Sequence, residues 1–397
     1  MSGGDYAVQG FRAAAVAAGL KKHGGPDLGL IVSDGSATAA GVFTTNRVRA
    51  APVILSQEHI TGGKARAIVA NAGCANACTG AAGLADARST AEMAARALSA
   101  APEELLVAST GVIGAPLAVD KIALALPGLV ERLSEQGLPA VAEAIMTTDS
   151  FPKLSRFEGA AGGRSYRIVG MAKGAGMIMP DMATMLSFIL TDAGVSSLDL
   201  KMAVSRAADA TFNRITVDGD TSTNDTVFAL ANGKAGTGDL TGPELDDFRD
   251  GLCGVMQELA LMIVRDGEGA SRVVLVRVQG AKTSEEASRA ARTVANSNLV
   301  KTAVFGRDPN WGRIMAAVGR SGVTMEEDHV DISINGIPIV KNGLGMGMEA
   351  EKDAAGVMAR EETIHITVDL HQGDHGDTVA TCDLTQDYVA INADYRT

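Results

Sequence analysis

The stretch Tyr166–Ala193, YRIVGMAKGAGMIMPDMATMLSFILTDA, decides how this chain folds. Its front, Tyr166–Met171, is a short apolar run suited to a strand, and it leads into the glycine-rich turn KGAGMIMP. After Asp181, Met182–Leu190 is almost continuously apolar, the pattern of a strand buried on both faces. Such strands belong to α/β proteins, in which strands alternate with helices along the chain.

That alternation recurs on both sides. Ala65–Ala70 reads as a strand before Asn71, and Leu84–Leu98 as a helix with its apolar residues on one side. Leu105–Ser109 is a short strand that runs into Thr110-Gly111, and Leu138–Met146 fits a helix. Downstream, Asp199–Phe212 and Pro243–Val264 are helical, the latter with proline in its first turn. Arg272–Val278 is a strand, and Thr283-Ser-Glu-Glu286 is a capping box opening a helix to about Asn296. Leu299–Val304 reads as a strand and Trp311–Val318 as a helix. Val330–Ile334 and Ile337–Val340 form a hairpin around Asn335-Gly336, and Thr363–Leu370 alternates as a half-buried strand does. The fold class is α/β with mixed sheets. A boundary near residue 280 is expected, giving a main domain of residues 1–280 and a smaller βαβαββαβ domain of residues 281–397.

The 397 residues are 46% apolar and 21% charged, as in a globular protein with a sizeable core. The net charge is −12 with no basic cluster, which argues against nucleic acid as a partner. No apolar run reaches the roughly 20 residues of a membrane span, and MSGGDYAVQG lacks the features of a signal peptide. A cytoplasmic location is expected.

The common catalytic motifs fail. Gly62-Gly63-Lys64 lacks the glycine spacing of a phosphate loop, GLGMGM lacks the third glycine of a dinucleotide fingerprint, and there is no GxSxG elbow. Asp218–Asp225 imitates a calcium loop without its turn glycine and final glutamate, and reads as a hydrogen-bonded turn network. Cys74 and Cys78 have no nearby cysteine partners for zinc, and His371 and His375 flank a loop, so no metal is expected. No histidine lies in the polar, glycine-rich clusters, so the base of any acyl chemistry is not histidine.

Those clusters are Asn71–Gly80, Ser109–Gly114, Met146–Ser150, Lys173–Thr184, Thr216–Thr226, Arg265–Ala270 and Asn310–Arg313. They lie at the ends of expected strands, where α/β proteins place function. Thr110-Gly111 is suited to aim amides at an anionic oxygen. A threonine hydroxyl such as that of Thr184 is a weak nucleophile without an adjacent base, and a free N-terminal amine is one such base. That requires a cut before the threonine, which composition alone does not show.

At KGAGMIMPDMATMLSFILTDA the chain resembles the ornithine acetyltransferase family, ArgJ. The resemblance extends through NAGCANACTG, STGVIG, FNRITVDGDTSTNDT, VRDGEGA, GRDPNWGRI and the terminal NADYRT, in family order from about residue 70 to the end. It implies a layered α-β-β-α core and a precursor that cuts itself between Ala183 and Thr184, freeing Thr184 as an N-terminal nucleophile. Thr110 and Gly111 match the oxyanion pair. Thr147, Lys173, Thr184, Glu268, Asn392 and Thr397 match substrate-binding positions, Thr147 being chosen over Thr148. The implied reaction moves the acetyl group of N-acetylornithine to glutamate by a ping-pong route, in an assembly of α2β2 or larger. No cofactor is implied; acetyl-CoA is the donor in bifunctional members, and no motif here reports on its use. The chain departs from the family pattern at Asp181 and Cys74, where asparagine is frequent. Two other readings stay open: an amidohydrolase that gives the acyl group to water, and an uncut relative without catalysis.

Overall fold

The computed structural model describes residues 5–179 and 185–394. It divides into two compact units, Met1–Asn213 with Asp220–Ile263, and Arg214–Gly219 with Val264–Thr397. The class is the expected one, α/β with two mixed sheets, one in each unit.

Unit 1 is built on eight strands: β1 (Phe11–Val16), β2 (Leu28–Phe43), β3 (Lys64–Cys74), β4 (Leu105–Val112), β5 (Lys153–Ala161), β6 (Arg164–Lys173), β7 (Leu186–Thr191) and β8 (Thr226–Ala231). Their order is β4-β3-β2-β8-β7-β6-β5, with β1 on β2. The pairs β3–β4 and β7–β8 are parallel and the rest antiparallel. Every residue of β7 and β8 is buried, as a strand covered on both faces requires. Phe188 and Phe228 stack across these two strands at 5.9 Å.

The helices on this sheet succeed by being thin. Gly80–Leu98 presents Ala87, Ala91, Ala94 and Ala95, an i, i+4, i+7, i+8 stripe, and packs with Ile122, Leu126 and Leu129 of the helix Val119–Glu131 against one face. Leu138, Val141 and Ala142 of the helix Leu138–Ala144 join the core of the other face. A protein 4% aromatic thus fills its core by close approach of backbones.

Unit 2 holds β9 (Val273–Ala281), β10 (Asp331–Ile334), β11 (Ile337–Lys341), β12 (Leu344–Gly345), β13 (Thr363–Asp369) and β14 (His375–Cys382), in the order β12-β11-β10-β13-β9-β14. The expected boundary at 280 falls inside β9, which pairs with both β13 and β14, so the division lies earlier, at 263/264. The expected strand at Leu299–Val304 is instead part of the helix Asn298–Phe305, so the βαβαββαβ order does not hold. Ser297 explains the difference: its hydroxyl accepts from the Val300 N–H as an N-cap, and Val300, Ala303 and Val304 then fall on one buried face. The last strands, β13 and β14, are followed by a final described helix, Gln386–Ala393. No described helix is long and apolar enough to cross a membrane.

Candidate active site

The residues singled out from sequence fall into three groups. Thr110, Gly111, Thr147 and Lys173 lie in unit 1, and Glu268 and Asn392 in unit 2. Ala183, Thr184 and Thr397, with Asp181, lie outside the described residues.

In unit 1, Thr110 and Gly111 stand near the end of β4 against the end of β3. Gly111 has φ +127°, and a Cβ there would sit 2.4 Å from the Gly73 carbonyl carbon. Glycine at 111 is therefore dictated both by backbone conformation and by the neighbouring strand. Asn71, on β3, braces this strand end: it accepts from the Ser109 hydroxyl at 2.6 Å and donates to the Cys74 carbonyl at 2.9 Å. Cys74 is buried, and burial raises its thiol pKa, the opposite of a reactive thiolate.

Lys173 ends β6, opposite Leu186, the first residue of β7. Its Nζ donates to Thr147 Oγ1 at 2.7 Å and to Thr110 Oγ1 at 3.2 Å. A nearly buried ammonium thus joins two hydroxyls from separate elements beside the strand that follows residue 184. Asp149 supports the arrangement from below. Its carboxylate accepts from the Thr147 N–H (3.0 Å), the Gly174 N–H (2.6 Å) and Lys153 Nζ (2.8 Å), and lies 3.8 Å from Lys173 Nζ. Burial pushes this carboxyl up, but the charges of Lys173 and Lys153 with these hydrogen bonds outweigh it and hold its pKa well below the usual range.

Asn224 and Asp225 immediately precede β8. Their cluster reads from sequence as a turn network, and the structure gives the two residues a more specific place. The Asn224 amide donates to the Ala75 and Ser109 carbonyls at 2.7 and 2.8 Å, and Asp225 Oδ1 accepts from the Met185 N–H at 2.8 Å. Asp225 is fully buried, and burial raises its pKa well above 3.8. Sequence reasoning also passes over Asp149 and Lys153; the available signal is a carboxylate inside the polar cluster Met146–Ser150 and a lysine at the head of the next strand.

In unit 2, Asn392 Nδ2 donates to Glu268 Oε2 at 2.7 Å and to the Tyr388 carbonyl at 3.0 Å. Thr385 Oγ1 donates to the Gly269 carbonyl at 2.7 Å, so the helix Gln386–Ala393 and the Glu268 loop are fastened together. His371 and His375, close in sequence, contact different partners, Asp331 at 3.0 Å and Ser284 at 3.2 Å. The chemistry available in unit 1 is the stabilisation of an anion: a buried ammonium, hydroxyls and a glycine turn at converging strand ends.

Known proteins match the whole chain. The ArgJ family model matches residues 12–397. The arginine biosynthesis bifunctional protein ArgJ of Geobacter sulfurreducens is 52% identical over 397 residues, covering 98% of this chain and 100% of the relative. The protein of the same name from Synechococcus sp. is 47% identical, covering 100% of this chain and 98% of the relative. Among solved structures, an ArgJ chain of Bacillus halodurans is 43% identical, with a TM-score of 0.52 over 53% of this chain and 100% of that one. A Mycobacterium tuberculosis ornithine acetyltransferase complexed with ornithine is 40% identical over 46% of this chain and 95% of that one, with a TM-score of 0.39. With a family model spanning nearly every residue and relatives near half-identical from end to end, the chain belongs to the ArgJ family.

Proposed function

We propose that this ArgJ-family enzyme, an ornithine acetyltransferase and N-acetylglutamate synthase of arginine biosynthesis, works through an acetyl ester on Thr184. The observation that carries the reading is Lys173 Nζ joining the hydroxyls of Thr147 and Thr110 opposite the head of β7, two residues beyond Thr184.

The steps follow from the residue types. In the precursor the Thr184 hydroxyl attacks the Ala183 carbonyl, the acyl group moves from nitrogen to oxygen, and water hydrolyses the ester. The released amine, of ordinary pKa about 7.7–8.0, then takes the hydroxyl proton as general base. Thr184 attacks the acetyl carbonyl of N2-acetyl-L-ornithine while Thr110 and Gly111 hold the oxyanion. Ornithine leaves with a proton, the amine of glutamate attacks the acetyl-Thr184 ester, and N-acetylglutamate is released. Acetyl-CoA replaces acetylornithine as donor in the synthase reaction.

By their chemistry Thr147 and Lys173 suit a substrate carboxylate and Glu268 with Asn392 an ammonium, and the family resemblance adds Thr397 as a further substrate-binding position. The processed protein is read as cytoplasmic, with α and β fragments in an α2β2 or larger assembly.

Intact mass under denaturing conditions tests this reading. Fragments of 183 and 214 residues, the second beginning Thr-Met-Leu, with acetyl transfer from N-acetylornithine to glutamate, are expected. A single uncut, inactive chain would sink it.

A further inference from the structure

Asn224 and Asp225 are neighbours in sequence but reach in two directions. The Asn224 amide, oriented by the Thr223 hydroxyl that donates to its Oδ1 at 2.7 Å, binds the Ala75 and Ser109 carbonyls. Ser109 immediately precedes Thr110-Gly111. Asp225 Oδ1 takes the Met185 N–H, which belongs to the peptide bond joining Met185 to Thr184.

The second contact is not what a parallel ladder supplies. The Thr226 N–H donates to the Met185 carbonyl at 3.0 Å, as the β7–β8 register requires, and the Met185 N–H should then find the Asn224 carbonyl. That carbonyl instead accepts from the Thr226 hydroxyl at 2.9 Å, and the Asp225 carboxyl stands in its place. Met185 is thereby clamped at both ends, with a side chain holding the end nearest Thr184. The substitution comes at a cost: Asp225 is 1% exposed, and its Oδ2 is buried without a hydrogen-bond partner among the described residues. An arrangement needed only to close a ladder would use the backbone carbonyl.

We propose that Asn224 and Asp225 are a positioning pair for acyl transfer, fixing the segment after the nucleophile and the oxyanion strand end to a single rigid dipeptide. Among the described residues the pair contacts Ala75, Ser109 and Met185, so the role proposed for each is exerted through Met185 or Ser109. Burial raises the pKa of Asp225, which fits the role because it disfavours a further negative charge facing Lys173. The inference rests on the reading of Thr184 as nucleophile.

The test compares Asp225→Ala, Asp225→Asn and Asn224→Ser with the wild-type protein. Intact mass gives the cut fraction, and kcat and KM for N-acetylornithine are measured at saturating glutamate. Asp225→Ala and Asn224→Ser are expected to raise the uncut fraction and lower kcat by roughly ten- to a hundredfold, the penalty of small misplacement. KM should stay within about threefold, since no substrate contact is removed. Asp225→Asn should recover most of kcat, because its amide oxygen still accepts from Met185. Ala and Ser variants that cut and turn over like wild type overturn the proposal, as does an Asn variant no better than Ala. Should Asp225→Ala fail to fold, Asn224→Ser, which leaves the Met185 clamp in place, decides the question by the same split between kcat and KM. An uncut, inactive wild type would instead defeat the nucleophile assignment, so the two failures are told apart.

Discussion

Lys173 Nζ lies 2.7 Å from Thr147 Oγ1, which ties the end of β6 to the loop before β5 through a buried ammonium and a half-buried hydroxyl. The contact favours Thr147 over the adjacent Thr148 as the proposed substrate-binding position. Thr147→Val should raise KM for N-acetylornithine about tenfold, the loss of one charge-assisted hydrogen bond with its partner left buried, while Thr148→Val should stay within about threefold. Steady-state kinetics on the two variants checks this, and the reverse ranking would reassign the position. Lys173→Met, which keeps the stem and deletes the charge, should lower kcat/KM by roughly a hundredfold or more.

Gly111→Ala meets two obstacles at once, a φ of +127° and a Cβ 2.4 Å from the Gly73 carbonyl carbon. A destabilisation of about 1–3 kcal/mol is expected from the backbone conformation alone. Chemical denaturation would measure it. A variant as stable and as active as wild type would mean that the ends of β3 and β4 separate easily, and the oxyanion assignment would lose its rigid frame.

Asp225 and Asp149 should respond to pH in opposite senses. The folded-state pKa of Asp225 is raised, so its contribution to stability is fully present below the ordinary value of 3.8 and is lost as pH rises toward the folded pKa. Asp225→Asn removes that loss. Its melting temperature relative to wild type should therefore climb as pH rises above 3.8 toward the folded-state pKa. Asp149 has a lowered pKa, so its contribution is present above 3.8 and is lost only in stronger acid. A difference between Asp225→Asn and wild type that stays flat as pH rises above 3.8 would mean the carboxyl ionises as freely in the folded protein as in the unfolded chain.

Ser297→Ala removes the hydroxyl that accepts from the Val300 N–H at the start of the helix Asn298–Phe305. A loss of about 1 kcal/mol is expected, read as a modest drop in melting temperature with no change in kcat. Wild-type stability would show that packing of Val300, Ala303 and Val304 alone holds the helix.

That helix also shows where sequence reading stops. Leu299–Val304 carries two valines and a threonine, residues of high strand propensity, and only the serine before it and the spacing of its buried residues favour a helix. Local chemistry is sufficient elsewhere. Thr283 caps the helix Ser284–Ala295 by accepting from the Glu286 N–H, and Asn335-Gly336 turns the β10–β11 hairpin with both residues at positive φ. The strands β1, β2 and β8 escape because their alanines and glycines blur the apolar pattern, and their identity comes from pairing partners distant in sequence. The site is legible in a similar measure. Motif resemblance points to Lys173, Thr147 and Thr110, which meet in space, but Asp149 and Asn224-Asp225 act by bridging strands far apart in the chain. No local pattern encodes such a bridge.

The strand order of unit 1 bears on what a cut between residues 183 and 184 would leave behind. Strands β7 and β8 follow the cut, yet they lie in the middle of the sheet, with β2 on one side and β6 on the other. The two polypeptides would share one sheet, interleaved like fingers and held by the Lys173–Leu186 ladder and the Thr38–Ala231 ladder at once. Pulling them apart would strip out the two central strands, so the fragments would behave as a single inseparable folding unit, unable to exchange partners without complete unfolding.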